Sequence, residues 1–298
     1  MNVEKLIKLL PIELLRYIEL DKLKYLKEIR LRVNRKTALR YIDCEKIVDF
    51  IPNEKNMISV LQMLCENSIY SYQSQICNGF ITLYGGHRVG IMGSCSVKDG
   101  KVNNVNYISS LNFRISKEII GACNDVLKYI ITNNQINNTL IVSKPGCGKT
   151  TVLRDLIRVI SNIGFNVSVI DERGEIAAMY KGVPQNDVGL RTDVMDNVSK
   201  SIGMKIAIRT MAPDVIFADE IGTQGDLEAI NYGVCSGVKG IFTAHASTID
   251  ELLKNINLKK LYDEKIFKKL IFLEREGKVK NIYTLEDNLY KLEDENIS

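Results

Sequence analysis

Between residues 139 and 164 an apolar stretch passes through a glycine turn into an amphipathic pattern, and that order constrains the fold more than any other feature. Leu140, Ile141 and Val142 read as a short buried strand. Ser143-Lys144-Pro145-Gly146-Cys147-Gly148-Lys149-Thr150-Thr151 comes next. Apolar residues then recur at Val152, Leu153, Leu156, Ile157, Ile160 and Ile163, a helical spacing that stops at Gly164. Strand, glycine loop and helix in this order make a phosphate-binding loop. Gly146 and Gly148 let backbone N–H groups turn inward on phosphate oxygens, and the helix N-terminus adds partial positive charge. Lys149 is placed to reach β- and γ-phosphates, and the Thr150 hydroxyl to hold Mg²⁺. The pattern G-x-x-x-x-G-K-[ST] calls for glycine at 143, where this chain has Ser143.

Past this loop, strand patterns near 139–143, 166–171, 214–219 and 240–244 alternate with helical ones, which predicts a parallel sheet covered by helices. Segments 267–274 and 278–285, split by Glu276-Gly277, predict a closing hairpin. Upstream, residues 1–115 read as a smaller α+β domain. Leu9, Leu10, Leu14, Leu15 and Ile18 form one helical face, 28–33 alternates like a strand, and Met57, Val60, Leu61 and Leu64 form a second helical face. Strand-like runs follow at 79–84, 88–97 and 101–115, with Asp99-Gly100 as a hairpin turn. A helix over 117–132 and the polar run 133–138 make 116–138 a linker, leaving 139–298 as the nucleotide-binding domain. The acidic tail at 292–296 is expected to fray.

Two acidic pairs stand at predicted strand ends. The run 215–218 is apolar and leads into Asp219-Glu220. Behind a phosphate loop this order suits Asp219 to Mg²⁺ beside Thr150 and Glu220 to taking a proton from an attacking water. Asp171-Glu172 closes the strand before it, and the carboxyl ends of strands line the ligand crevice in such sheets. Glu172 is therefore a rival for water activation. His245, one of two histidines, ends a third strand and is read as a γ-phosphate sensor. It has no His or Cys partner at metal-ligand spacing. Arg88, Arg114, Arg173, Arg191 and Arg209 are candidates for stabilising charge in phosphoryl transfer.

Composition narrows the class. Forty basic against 36 acidic residues leave a net charge of +4, too small an excess for a nucleic-acid footprint. Seven cysteines without a C-x-x-C pair indicate reduced thiols in a cytoplasmic protein, not a zinc site or a disulfide framework. No apolar stretch approaches a membrane span, and the first residues lack a signal-peptide core.

The runs 145–155, Asp171-Glu172-Arg173-Gly174-Glu175-Ile176, Asp219-Glu220-Ile221-Gly222 and Thr243-Ala244-His245-Ala246 together resemble the stage III sporulation protein AA family, a branch of the secretion-type RecA-like ATPases. Glu28-Ile29-Arg30-Leu31-Arg32, Gly79-Phe80-Ile81-Thr82 and Gly85-Gly86-His87-Arg88-Val89-Gly90 are similar to its pre-ATPase domain. The resemblance implies a RecA-like P-loop NTPase core, an acidic box on Asp171-Glu172 and a histidine box on 243–246. It also implies ATP and Mg²⁺ as cofactors, a hexameric ring, an integral-membrane platform partner and work in a mother cell–forespore channel. The family's secretion relatives mostly carry glycine where this chain has Asp219. A RecA-like core also serves nucleic-acid motors, so an ATP-switched nucleic-acid-binding or helicase-like protein is the alternative. The small net charge and the lack of a basic, aromatic-interleaved tail argue against that alternative.

Overall fold

Strand patterns between residues 26 and 114 close into one antiparallel sheet whose strands lie in the order 45–48, 35–41, 26–32, 101–114, 88–98 and 80–82. The computed structural model describes residues 3–293. It divides the chain into two units, Met1–Lys117 with Ala178–Gln185, and Glu118–Ala177 with Asn186–Ser298. The first unit runs α1 (Val3–Ile7), α2 (Ile12–Leu15), β1 (Leu26–Arg32), β2 (Arg35–Tyr41) and β3 (Glu45–Val48). It continues through α3 (Glu54–Leu64), α4 (Gln73–Cys77), β4 (Phe80–Thr82), β5 (Arg88–Lys98) and β6 (Lys101–Arg114). Alternation in β1 buries Ile29 and Leu31, which share a core with Met57, Val60, Leu61 and Leu64 of α3. Asn53 and Asn56 form a reciprocal cap that starts α3. Asp99 and Gly100 both adopt positive φ, as a two-residue hairpin turn requires.

The segment 178–185 joins this unit although it lies far along the chain. The Tyr180 hydroxyl and Lys181 Nζ both bond Glu66, the Tyr84 and Tyr180 rings meet edge-on at 6.3 Å, and the Gly85 N–H donates to Gln185 Oε1 at 2.8 Å.

The second unit opens with α5 (Asn124–Ile130) and a small hairpin, β7 (Ile131–Thr132) with β8 (Gln135–Ile136). Next come β9 (Thr139–Ser143), α6 (Lys149–Asn162), β10 (Val167–Asp171), β11 (Thr192–Asp196), α7 (Lys200–Met211), β12 (Val215–Ala218), α8 (Gln224–Cys235) and β13 (Lys239–His245). The chain finishes through α9 (Ile249–Leu252), α10 (Ile256–Asp263), β14 (Lys269–Leu273), β15 (Val279–Glu286) and β16 (Leu289–Leu292). The sheet order is β11-β10-β12-β13-β9-β14-β15-β16, parallel from β11 to β14 and antiparallel beyond. Leu140, Val142, Ile216, Ala218, Phe242 and Ala244 pack on one face with apolar residues of α7, α8 and α10. The intervening Ile141, Val169, Phe217 and Ile241 are fully buried, and α6 packs across β9, β10, β11 and β13. This is the RecA-like α/β architecture, with a sheet-rich unit before it.

Three expectations need correction. The helix over 117–132 is confined to α5, because the chain turns at Gly121 with a φ of +86°. The face from Leu9 to Ile18 is broken at Pro11, which caps α2 and supplies no N–H to a continuing helix. Glu293 of the acidic tail is held by Lys269 and Thr284, while 294–296 lie outside the described residues.

Candidate functional site

The glycine-bearing loop at 144–148 hangs between β9 and α6. Gly148 caps α6 in a left-handed conformation, φ +95°, and a Cβ there would meet Gly277 N at 3.0 Å. The Gly277 N–H donates to the Cys147 carbonyl at 2.8 Å, so the turn between β14 and β15 braces the loop from below. Gly146 also has positive φ, with open space where a side chain would stand. Ser143, by contrast, is the last residue of β9, and its hydroxyl donates to the Lys144 carbonyl at 2.9 Å. A strand position needs no glycine, which accounts for the departure from the pattern. Lys144 and Pro145 are exposed on the loop; Cys147, Thr150 and Thr151 are half-buried, and Cys147 is a free thiol.

Register brings the remaining groups to this loop. His245 pairs with Ser143 across the β13–β9 ladder, and Ala218 pairs with Phe242 across β12–β13. The ends of three parallel strands therefore meet over the N-terminus of α6. Lys149 is 5% exposed, with Nζ 3.0 Å from His245 Nδ1 and 3.5 Å from the Ser143 carbonyl. Burial pushes the Lys149 amine below its ordinary pKa, against the opposing charges of Asp219 and Glu220. The Thr150 hydroxyl donates to Asp219 Oδ2 at 2.7 Å. Asp219 Oδ1 accepts from the Thr243 hydroxyl.

Glu220 stands where β12 has ended, with a φ of +55° that costs a non-glycine residue about 1–2 kcal/mol. Its Oε1 is 2.8 Å from His245 Nε2, and its Oε2 accepts from Arg173. Burial pushes its carboxyl up, but the bond to His245 and the charges of Arg173, His245 and Lys149 bring it below the ordinary value. Lys149, His245, Glu220 and Arg173 thus form one connected polar chain.

Asp171, Glu172, Arg173, Lys200, Asp219 and Glu220 line a single shallow cleft. Glu172 is in it but bonds Lys200, the first residue of α7. Asp171 is 2% exposed, and its two oxygens accept from the N–H groups of Glu175, Ile176 and Ala177 at 2.8–3.1 Å. It builds a turn. Of the other arginines, Arg191 and Arg209 are exposed in the second unit, while Arg88 and Arg114 belong to the first, where Arg88 lies over the Phe80 ring. The second histidine, His87, is fully buried in the first unit. Its Nδ1 accepts from the Ser116 N–H, and burial pushes the imidazole down to about 4.

The donor set fits a nucleotide and its metal. Two left-handed glycines and an inward lysine suit phosphate, and a hydroxyl next to a carboxylate oxygen suits Mg²⁺, a hard cation that retains several waters. Sequence gave no signal for the Lys200 partner of Glu172 or the Gly277 brace, since both contacts depend on how distant elements pack. Among the described residues no His/Cys/Asp/Glu cluster has the makings of a separate metal centre, and no helix is long and apolar enough to cross a membrane.

Known proteins agree with this architecture. The pilus retraction motor PilT, solved with bound ADP, superposes with a TM-score of 0.59 at 15% identity, over 95% of this chain and 81% of that one. The Legionella pneumophila ATPase DotB gives 0.57 at 13% identity, over 88% and 78%. Stage III sporulation protein AA of Bacillus subtilis (strain 168) is 34% identical over 272 residues, 89% of this chain and 88% of the relative. The family model described as sporulation stage III, protein AA matches residues 2–289. With that match and that relative, the chain belongs to the stage III sporulation protein AA family.

Proposed function

We propose that the protein is an ATP-hydrolysing motor of the secretion type, and the observation that carries this is the polar chain Lys149–His245–Glu220–Arg173 lying over the phosphate loop. Its family membership and its RecA-like fold support the same reading. Residues 143–151 would hold the ATP phosphates, and Thr150 with Asp219 would hold Mg²⁺. Bound Mg²⁺–ATP supplies the electrophilic phosphorus and a charge that draws electrons from it. Glu220 accepts a proton from the attacking water, its carboxylate kept ionised by His245 and Arg173. His245 bridges Lys149 and Glu220 and so reports on what Lys149 touches. Glu172, held by Lys200, is a secondary candidate for the base.

Residues 1–115 would serve as the pre-ATPase domain, 116–138 as the linker and 139–298 as the ATPase domain. Six copies would form a ring on the cytoplasmic face of a membrane, driving an integral-membrane platform of the mother cell–forespore channel through opening and closing of the two domains. Lys149→Ala tests the phosphate loop directly. Calorimetry should detect no ATP binding by the variant at concentrations that saturate the wild type; equal affinity would overturn the assignment. Light scattering with and without ATP tests the ring, and a monomer under both conditions would count against it.

A further inference from the structure

We propose that Thr243 is the positioning residue for both carboxylates beyond β12, acting through its hydroxyl and not through its packing. The inference rests on the ATPase reading above. Thr243 lies in β13 and is fully buried. Its hydroxyl is engaged on both sides: Oγ1 accepts the Glu220 N–H at 2.8 Å and donates its own hydrogen to Asp219 Oδ1. Its carbonyl accepts the Ile221 N–H at 2.9 Å. The β12–β13 ladder has its last pair at Ala218 and Phe242. One threonine thus extends the grip of β13 over the next three residues.

Two consequences follow for the site. A continuing strand would send residues 219 and 220 to opposite faces. With its N–H held by Thr243, Glu220 instead adopts its left-handed backbone, and its carboxylate reaches His245 and Arg173. With Oδ1 of Asp219 taken by Thr243, Oδ2 is the oxygen presented to Thr150. A valine would fill the same volume but leave the Glu220 N–H unpaired and the Asp219 carboxylate able to rotate. A serine would keep both bonds and lose only a methyl group.

The test compares wild type, Thr243→Val and Thr243→Ser for steady-state ATP hydrolysis, metal-free ADP affinity by calorimetry, and Mn²⁺ affinity by electron paramagnetic resonance with a non-hydrolysable ATP analogue. Thr243→Val should lower kcat by about tenfold or more and weaken Mn²⁺ binding several-fold, with ADP affinity within about twofold, because orientation and not phosphate binding is lost. Thr243→Ser should recover kcat to within about threefold, since it keeps both bonds. The proposal is overturned if Thr243→Val matches wild type in both kcat and Mn²⁺ affinity, or if Thr243→Ser is as impaired as Thr243→Val, which would point to packing. If melting shows that Thr243→Val does not fold, Thr243→Cys, a weak hydrogen-bonder of similar size, is read by the same criteria. A wild type that binds nucleotide without turnover would overturn the hydrolysis reading alone. The Mn²⁺ comparison would still decide the role of Thr243.

Discussion

The neighbouring parallel strands β10 and β12 both lead out into Asp-Glu, and the two pairs are put to different uses. Asp171 gives its oxygens to three backbone N–H groups of its own loop. Asp219 gives its oxygens to two hydroxyls, one from α6 and one from β13. A carboxylate saturated by main-chain donors fixes a loop; one held by side chains from other elements stays available to a metal. The glutamates differ in the same way. Glu172 pairs with Lys200 at the cleft edge, whereas Glu220 joins His245 and Arg173 in line with Lys149. Identical dipeptides at strand ends are thus separated by what the adjoining elements offer them.

The sharpest way to break this contrast is to exchange the glutamates for glutamine. Glu220→Gln should reduce kcat by about 10²–10⁴-fold, the range for a lost general base, with an unchanged melting temperature. A variant turning over at the wild-type rate would transfer the base role to Glu172. The aspartates should separate by kind of damage. Asp171→Ala leaves three backbone N–H groups, two of them buried, without their acceptor and should cost about 3 kcal/mol in chemical denaturation. Asp219→Asn should unfold within about 1 kcal/mol of wild type, because the amide oxygen can still accept a hydroxyl, yet need a higher Mg²⁺ concentration for half-maximal hydrolysis. If Asp171→Ala proves as stable as wild type, the structural role given to that residue is wrong.

A pH profile probes Glu220 alone. Its folded pKa lies below the ordinary carboxyl value, so the ionised base persists at neutral pH and activity is lost as pH falls through that depressed value. Burial would raise it; the bond to His245 is the first of the contributions that lower it. His245→Gln should therefore move the acid limb of kcat/KM to higher pH, and a limb that stays in place would detach His245 from Glu220. The smallest effect is expected for Glu172→Gln. Its carboxylate is exposed, and the glutamine amide oxygen can still accept from buried Lys200, so the change should move stability by less than about 1 kcal/mol and kcat by less than about threefold.

Much of this candidate site was legible in the residues alone. The glycine loop is a local motif, and its strand, turn and helix follow from spacing within one segment. The acidic and histidine strand ends were legible as candidates because the apolar runs before them are buried in full. Less was legible at β2, β3 and β11. β3 and β11 are edge strands with mixed burial, and the apolar signal that marks a central strand is weak there. The assignment of 178–185 to the first unit had no local signal, because it depends on contacts to Glu66, Tyr84 and Gly85.

By itself, then, the sequence determined the class of fold, the strand–glycine loop–helix order and the short roster of polar residues at strand ends. Those are consequences of periodicity, glycine placement and the side-chain chemistry available at each position. Tertiary structure decided what each member of the two acidic pairs bonds, why Ser143 can stand where the pattern calls for glycine, and that Thr243 ties Asp219 to Glu220. These depend on strand register and on hydrogen bonds between residues distant in the chain, and no local pattern encodes which partners the folded sheet will bring side by side.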